Sequence, residues 1–99
     1  MERDLAEYRY IKALIALPFV EAIWLFGSRA RGTAAERSDV DLAIHCRGDA
    51  DWAAVTEIIE DADTLLHIDA IRFDTLPLES ELRASILRCH QVLFSRVPA

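Results

Sequence analysis

Phe26-Gly27-Ser28-Arg29-Ala30-Arg31-Gly32, followed after a short interval by Ser38-Asp39-Val40-Asp41-Leu42, is the stretch on which the reading of this chain turns. Residues 22–26 lead into it as a short, continuous apolar run that stops at Gly27, the pattern of a buried strand opening into a tight turn. Residues 28–33 are expected to form a short helical turn and residues 34–38 a polar loop. From Asp39 the pattern changes to alternation. Val40, Leu42 and Ile44 fall on one side and Asp39, Asp41 and Ala43 on the other, so a strand over residues 39–45 has one apolar face and one face bearing both carboxylates.

Each half of this stretch is unremarkable by itself: Gly-Ser is a common capped turn, and Asp-x-Asp a common solvated strand face. Together they are specific. Ten residues separate Ser28 from Asp39, and Gly-Ser followed at that distance by Asp-x-Asp resembles the signature of the polymerase-β-type nucleotidyltransferase superfamily. The longer pattern, Gly-Ser-x-Ala-Arg-Gly running into Ser-Asp-x-Asp-Leu, is similar to that of the minimal nucleotidyltransferases, the MNT or MntA-like proteins. The resemblance extends from about Ile23 to Phe94.

The resemblance implies a small nucleotidyltransferase fold of the α/β (α+β) kind, with a mixed β-sheet flanked by helices, and residues 1–99 as one domain. It implies transfer of a nucleoside monophosphate, AMP from ATP, to a hydroxyl. Such transfer builds charge on the phosphoryl oxygens and the leaving pyrophosphate, which two Mg²⁺ ions about 4 Å apart offset while carboxylates hold them. Asp39 and Asp41, two apart on a strand, project to the same face and are expected to bridge both ions. A third acid on a neighbouring strand is needed to complete the acceptor-side metal. Asp69 is the choice, in His67-Ile68-Asp69-Ala70-Ile71; Asp74 is the competitor, with opposite strand parity and a place at the edge. Asp69 is also a candidate to assist removal of the acceptor proton.

Gly27 allows the backbone to approach a phosphate closely, and Ser28 offers a hydroxyl where free N–H groups favour an anion. Arg31 matches the family pattern as a neutraliser of triphosphate charge, whereas Arg29 fills a variable slot. Ser38 precedes the first carboxylate and is placed to bond a phosphate or orient Asp39, and Gly32 lets the turn leave in a conformation other residues avoid. The larger relatives carry a substrate-binding domain in the same chain, so here the acceptor is expected from elsewhere. The resemblance implies a HEPN-family helical toxin as partner in a hetero-oligomer, with a tyrosine of that toxin as acceptor and this chain as antitoxin. A non-catalytic module that binds toxin or nucleotide, and a small-molecule transferase of the aminoglycoside type, are the alternatives.

Composition is consistent with that reading. Of 99 residues 53% are hydrophobic and 28% charged, with a formal net charge of −6 and Lys12 as the single lysine; phosphate-backbone binding needs clustered cations, so direct nucleic-acid binding is not expected. Cys46 and Cys89 have no metal-ligand spacing and read as small packed hydrophobes in a reducing, cytoplasmic setting. No apolar run approaches a membrane span, and Met1-Glu2-Arg3-Asp4 does not begin a signal peptide.

The remaining elements follow from periodicity. Leu5, Tyr8, Ile11, Leu14 and Ile15 mark an amphipathic first helix that Pro18 stops. Residues 51–66 read as a helix with Trp52, Val55, Ile58 and Ile59 inward, residues 66–73 as a strand, residues 79–89 as a last helix, and residues 91–94 as an edge strand or tail. His45, His67 and His90 lack a ligand spacing and read as structural, as do Trp24 and Trp52. Asp49, Asp51, Glu60, Asp61 and Asp63 read as a solvated face.

Overall fold

The computed structural model describes residues 8–32, 39–62 and 64–96. Among the described residues, apolar spacing in the sequence becomes four helices and four strands: α1 Arg9–Ala16, β1 Val20–Phe26, α2 Ser28–Arg31, β2 Val40–Cys46, α3 Trp52–Glu60, β3 Ile68–Arg72, a 3₁₀ turn Phe73–Thr75, α4 Glu81–Arg88 and β4 Gln91–Ser95. The strands form one sheet in the order β3-β2-β1-β4. β1 runs antiparallel to both β2 and β4, and β2 parallel to β3, so the architecture is α+β with a mixed sheet. A parallel pair needs a crossover, and α3 supplies it between β2 and β3.

The two sheet faces are covered differently. On one, Ile11 and Leu14 of α1 and Val55 of α3 meet Val20, Ile23, Leu25, Val40, Leu42 and Ile44 in the main core. On the other, Ile86 of α4 and Phe73 of the 3₁₀ turn close over Ala43, with Trp24, Phe26 and Ile71 around them. Ala43 is therefore fully buried, although alternation alone assigned it to the face that carries the carboxylates. That face is apolar where α4 covers it and acidic where the cover ends.

Three boundaries differ from the periodic reading for local reasons. β1 starts at Val20, because Phe19 O accepts the Arg47 N–H at 2.9 Å and draws the chain into register two residues earlier. α3 ends at Glu60; Asp61 and Thr64 favour turns over helix, and Thr64 Oγ1 accepts the Leu66 N–H at 3.1 Å. β4 is a strand rather than a tail, anchored past its end by Arg96. The Arg96 N–H donates to Glu21 O at 2.8 Å and its guanidinium to Val20 O of β1 and to Ile15 O, each at 3.0 Å, the last a carbonyl that the end of α1 leaves open. Both capped helices use expected residues: Asp51 Oδ1 accepts from Ala53 N–H and Ser80 Oγ from Arg83 N–H. Among the described residues no helix is long and apolar enough to cross a membrane.

Candidate functional site

Register decides which side chains share the uncovered end of the second face. β1, β2 and β3 pair Phe26 with Asp41 and Asp41 with Asp69; the next row inward pairs Trp24 with Ala43 and Ala43 with Ile71. Asp41 and Asp69 are thus direct neighbours across a parallel pair. Asp39 precedes Val40 at the start of β2 and is exposed. The Val40 N–H donates to His67 O at 2.9 Å, which sets His67 beside Asp39 on the outer strand. Asp74 lies elsewhere, in the 3₁₀ turn, where it bonds Arg72 and the Cys46 N–H. Ser38 lies outside the described residues.

β1 ends in the turn that faces these acids. Gly27 has φ 75° and ψ −154°, a region essentially closed to other residues. A Cβ there would be driven into the Asp41 carboxylate, standing 3.2 Å even from its Cγ. The glycine thus brings bare backbone against the carboxylate. The chain then winds into α2, with the Arg31 N–H donating to Gly27 O at 3.2 Å, and leaves through Gly32 in the left-handed region at φ 76°. Ser28 and Arg31 ride on this single turn of helix between the two glycines.

Electrostatics tie these groups together. Burial pushes the Asp41 carboxyl above its ordinary value, and the charges of Asp69 and Asp39 push it the same way; His67 and Arg31 act against them. An acid whose neighbours resist its ionisation is held in a site with surplus negative charge. Oxygen-only donors of this kind suit a hard cation such as Mg²⁺. Among the described residues no three His, Cys, Asp or Glu side chains already meet as a metal cage.

His67 departs from its structural reading. It is exposed, and its charge acts on Asp41. The signal was present in the sequence: His67 and Asp69 are two apart at the head of a strand and share a face. The other two histidines are packed. Trp24 stacks on His90 at 3.9 Å and lies 4.1 Å from His45, which also meets Phe73 at 4.3 Å. Burial holds the His45 imidazole below its usual titration range, so it stays neutral beneath α4.

Asp74 has a structural task. Burial resists its ionisation, but the Arg72 guanidinium and the Cys46 N–H outweigh that and hold its carboxyl below the ordinary value. With the folded value depressed, this contribution is fully present above the unfolded pKa and is lost as pH falls through the folded one. Asp74→Asn is expected to cost less than about 1 kcal/mol at neutral pH, the range of a solvent-screened ion pair, at roughly 4–8 °C in melting temperature for each kcal/mol, and to shrink the difference from the parent in acid. Thermal melts of both proteins from neutral pH down through the carboxylate range check this; a constant offset would mean that Asp74 acts by packing alone.

A family model described as polymerase beta, nucleotidyltransferase, matches residues 10–99. Comparison with curated proteins gave no match. Among solved structures, a toxin–antitoxin crystallised with AMP-PNP superposes with a TM-score of 0.67 at 22% identity, over 87% of this chain and 71% of the other. A toxin–antitoxin MntA-HpeT mutant with two Asp→Glu changes gives a TM-score of 0.66 at 22% identity, over 86% and 69%. A candidate nucleotidyltransferase from Sulfolobus solfataricus gives 0.51 at 18% identity, over 97% and 93%. At these identities the structural likeness concerns the fold.

Proposed function

This chain belongs to the polymerase-beta nucleotidyltransferase family, and from that premise we propose that it transfers AMP from ATP to a hydroxyl of a partner protein, as the antitoxin of a HEPN/MNT pair. Nucleotidyl transfer is the chemistry of the family. The observation that carries the reading is the Asp41–Asp69 register with Gly27 held against Asp41, which sets two neighbouring acids directly against the bare backbone of the turn. ATP as donor is supported by the AMP-PNP in one structural relative, and a toxin partner by both toxin–antitoxin relatives. The HEPN identity of that partner and a tyrosine acceptor rest on the motif resemblance.

Asp39, Asp41 and Asp69 are the residues we assign to hold Mg²⁺, which when bound offsets charge on the phosphates and the attacking oxygen. Gly27, Ser28 and Arg31 are assigned to the β- and γ-phosphates, Gly32 to the exit of their turn, and Ser38 to the first carboxylate or a phosphate. In the transfer an acceptor oxygen bonds the α-phosphorus as its bond to the bridging oxygen breaks. Pyrophosphate leaves, and the hydroxyl proton passes to Asp69 or to water.

The test is intact-mass analysis of a co-expressed HEPN-type neighbour after incubation with this protein, ATP and Mg²⁺. A gain of one or more AMP units, absent with Asp39→Asn/Asp41→Asn, is expected. A stable complex with no gain would replace the transferase-antitoxin reading with a binding module.

A further inference from the structure

We propose that α4 is a proton-released cover: in mild acid it lifts from the sheet while the rest of the fold stays closed, driven by His45, which it buries among aromatic rings without a hydrogen-bond partner. The device lies apart from the acids and the turn assigned to transfer, and it does not depend on that reaction.

Four rings meet beneath α4. His90, between α4 and β4, stacks on Trp24 at 3.9 Å with the planes 10° apart, and its Nδ1–H donates to Ile86 O of α4 at 2.8 Å. His45 shares the face of β2 that carries Ala43, and lies 4.1 Å from Trp24 and 4.3 Å from Phe73. Its Nε2 is buried and has no hydrogen-bond partner among the described residues. A neutral imidazole fits there with its proton on Nδ1, leaving Nε2 a bare acceptor. A protonated ring would place an N–H at Nε2 with nothing to donate to, and a charge beside it.

The surrounding groups do not accommodate that charge. Burial opposes it most; Asp74 favours it, and His90 and Arg83 oppose it. Asp74, in the 3₁₀ turn, is already engaged by the Arg72 guanidinium and the Cys46 N–H. Arg83 of α4 stands over the Phe73 ring, 5.4 Å from its centroid. From β1 the neighbours are Ala22, paired with His45, and Trp24, neither of them titratable, and Cys46 turns into the main core. Arg83 and His90 thus both ride on α4 or on the residues that follow it. Departure of the helix removes two opposing cations and opens Nε2 to water in one movement. Little restrains it, since Ile86 is the one buried residue of α4.

The sign follows from linkage. The open state takes up the proton at the ordinary histidine value, the closed state only at lower pH, so closure is fully stable above the ordinary value and weakens as pH falls through it, near 6.5. Segments held by few buried groups open ahead of the whole fold.

Amide hydrogen exchange on the ¹⁵N-labelled full chain tests this, each rate being divided by its unstructured-chain rate at the same pH. Between about pH 7.5 and about pH 5.5, protection at Leu87, Arg88 and Cys89 is expected to fall at least about fivefold relative to Leu42 and Ile44 of β2. His45→Phe keeps a ring and removes the proton, and is expected to abolish the fall. A second readout needs no variant: the ring signals of His45 in the parent should titrate together with the α4 amides. The proposal is overturned if α4 and β2 lose protection in step or if α4 keeps its protection in acid. It is equally overturned if a folded His45→Phe responds as the parent does, or if His45 takes up its proton while the α4 amides stay unmoved.

Discussion

Asp41→Asn is expected to lower AMP transfer by at least about a hundredfold, toward a thousandfold, the loss typical when one preorganised charge stabiliser is removed, while raising the melting temperature by a few degrees. The two effects share a cause. Asp41 is the acid that burial, Asp69 and Asp39 all resist ionising, so its folded pKa lies above its unfolded one. A raised acid penalises the folded state at neutral pH, and the penalty fades as pH falls and the group takes up a proton. Asparagine keeps the shape and removes the charge, which relieves the penalty and the cation site together. Calorimetry beside the mass assay checks both signs. Loss of transfer with a lower melting temperature would make Asp41 a structural acid. Asp74→Asn is the contrast within the same molecule, because a depressed acid stabilises when ionised and its removal is expected to lower the melting temperature.

The opposite behaviour of these two aspartates also shows what the sequence could convey. Strand parity separated Asp69 from Asp74, because a period of two leaves only alternate residues on one face; the register then brings Asp69 beside Asp41. The acids and the turn before them were legible as local patterns. What parity could not convey was cover. Ala43 and Asp41 share a face, and only the packing of α4 and Phe73 makes one a core residue and leaves the other at the rim. His67 was misread for a related reason: an imidazole beside a strand is usually packed, and its exposure follows from β3 being the outermost strand. β4 was open between strand and tail because its anchor, Arg96, makes its bonds with residues of β1 and the end of α1, far back in the sequence.

Gly27→Ala is expected to remove transfer nearly as completely as Asp41→Asn, with every acid still in place. The backbone at φ 75° and ψ −154° costs a non-glycine residue about 1–3 kcal/mol, roughly 4–8 °C for each kcal/mol in a domain of this size. The added methyl also claims space held by the Asp41 carboxylate. Either the turn shifts away from the strand or Asp41 rotates out of the row it shares with Asp69, and both separate the phosphate turn from the acids. Gly32→Ala is the control. Its φ of 76° carries a left-handed cost of about 1–2 kcal/mol, but among the described residues nothing lies within 4 Å of a Cβ there, so the protein should lose stability and keep transfer to within a few-fold. A double-mutant cycle isolates the clash: in an Asp41→Ala background, Gly27→Ala should cost less than in the parent, leaving only the backbone term. Equal costs in both backgrounds would mean that the turn and the carboxylate are not packed against each other, and the coupling of phosphate turn to metal acids would lose its physical basis.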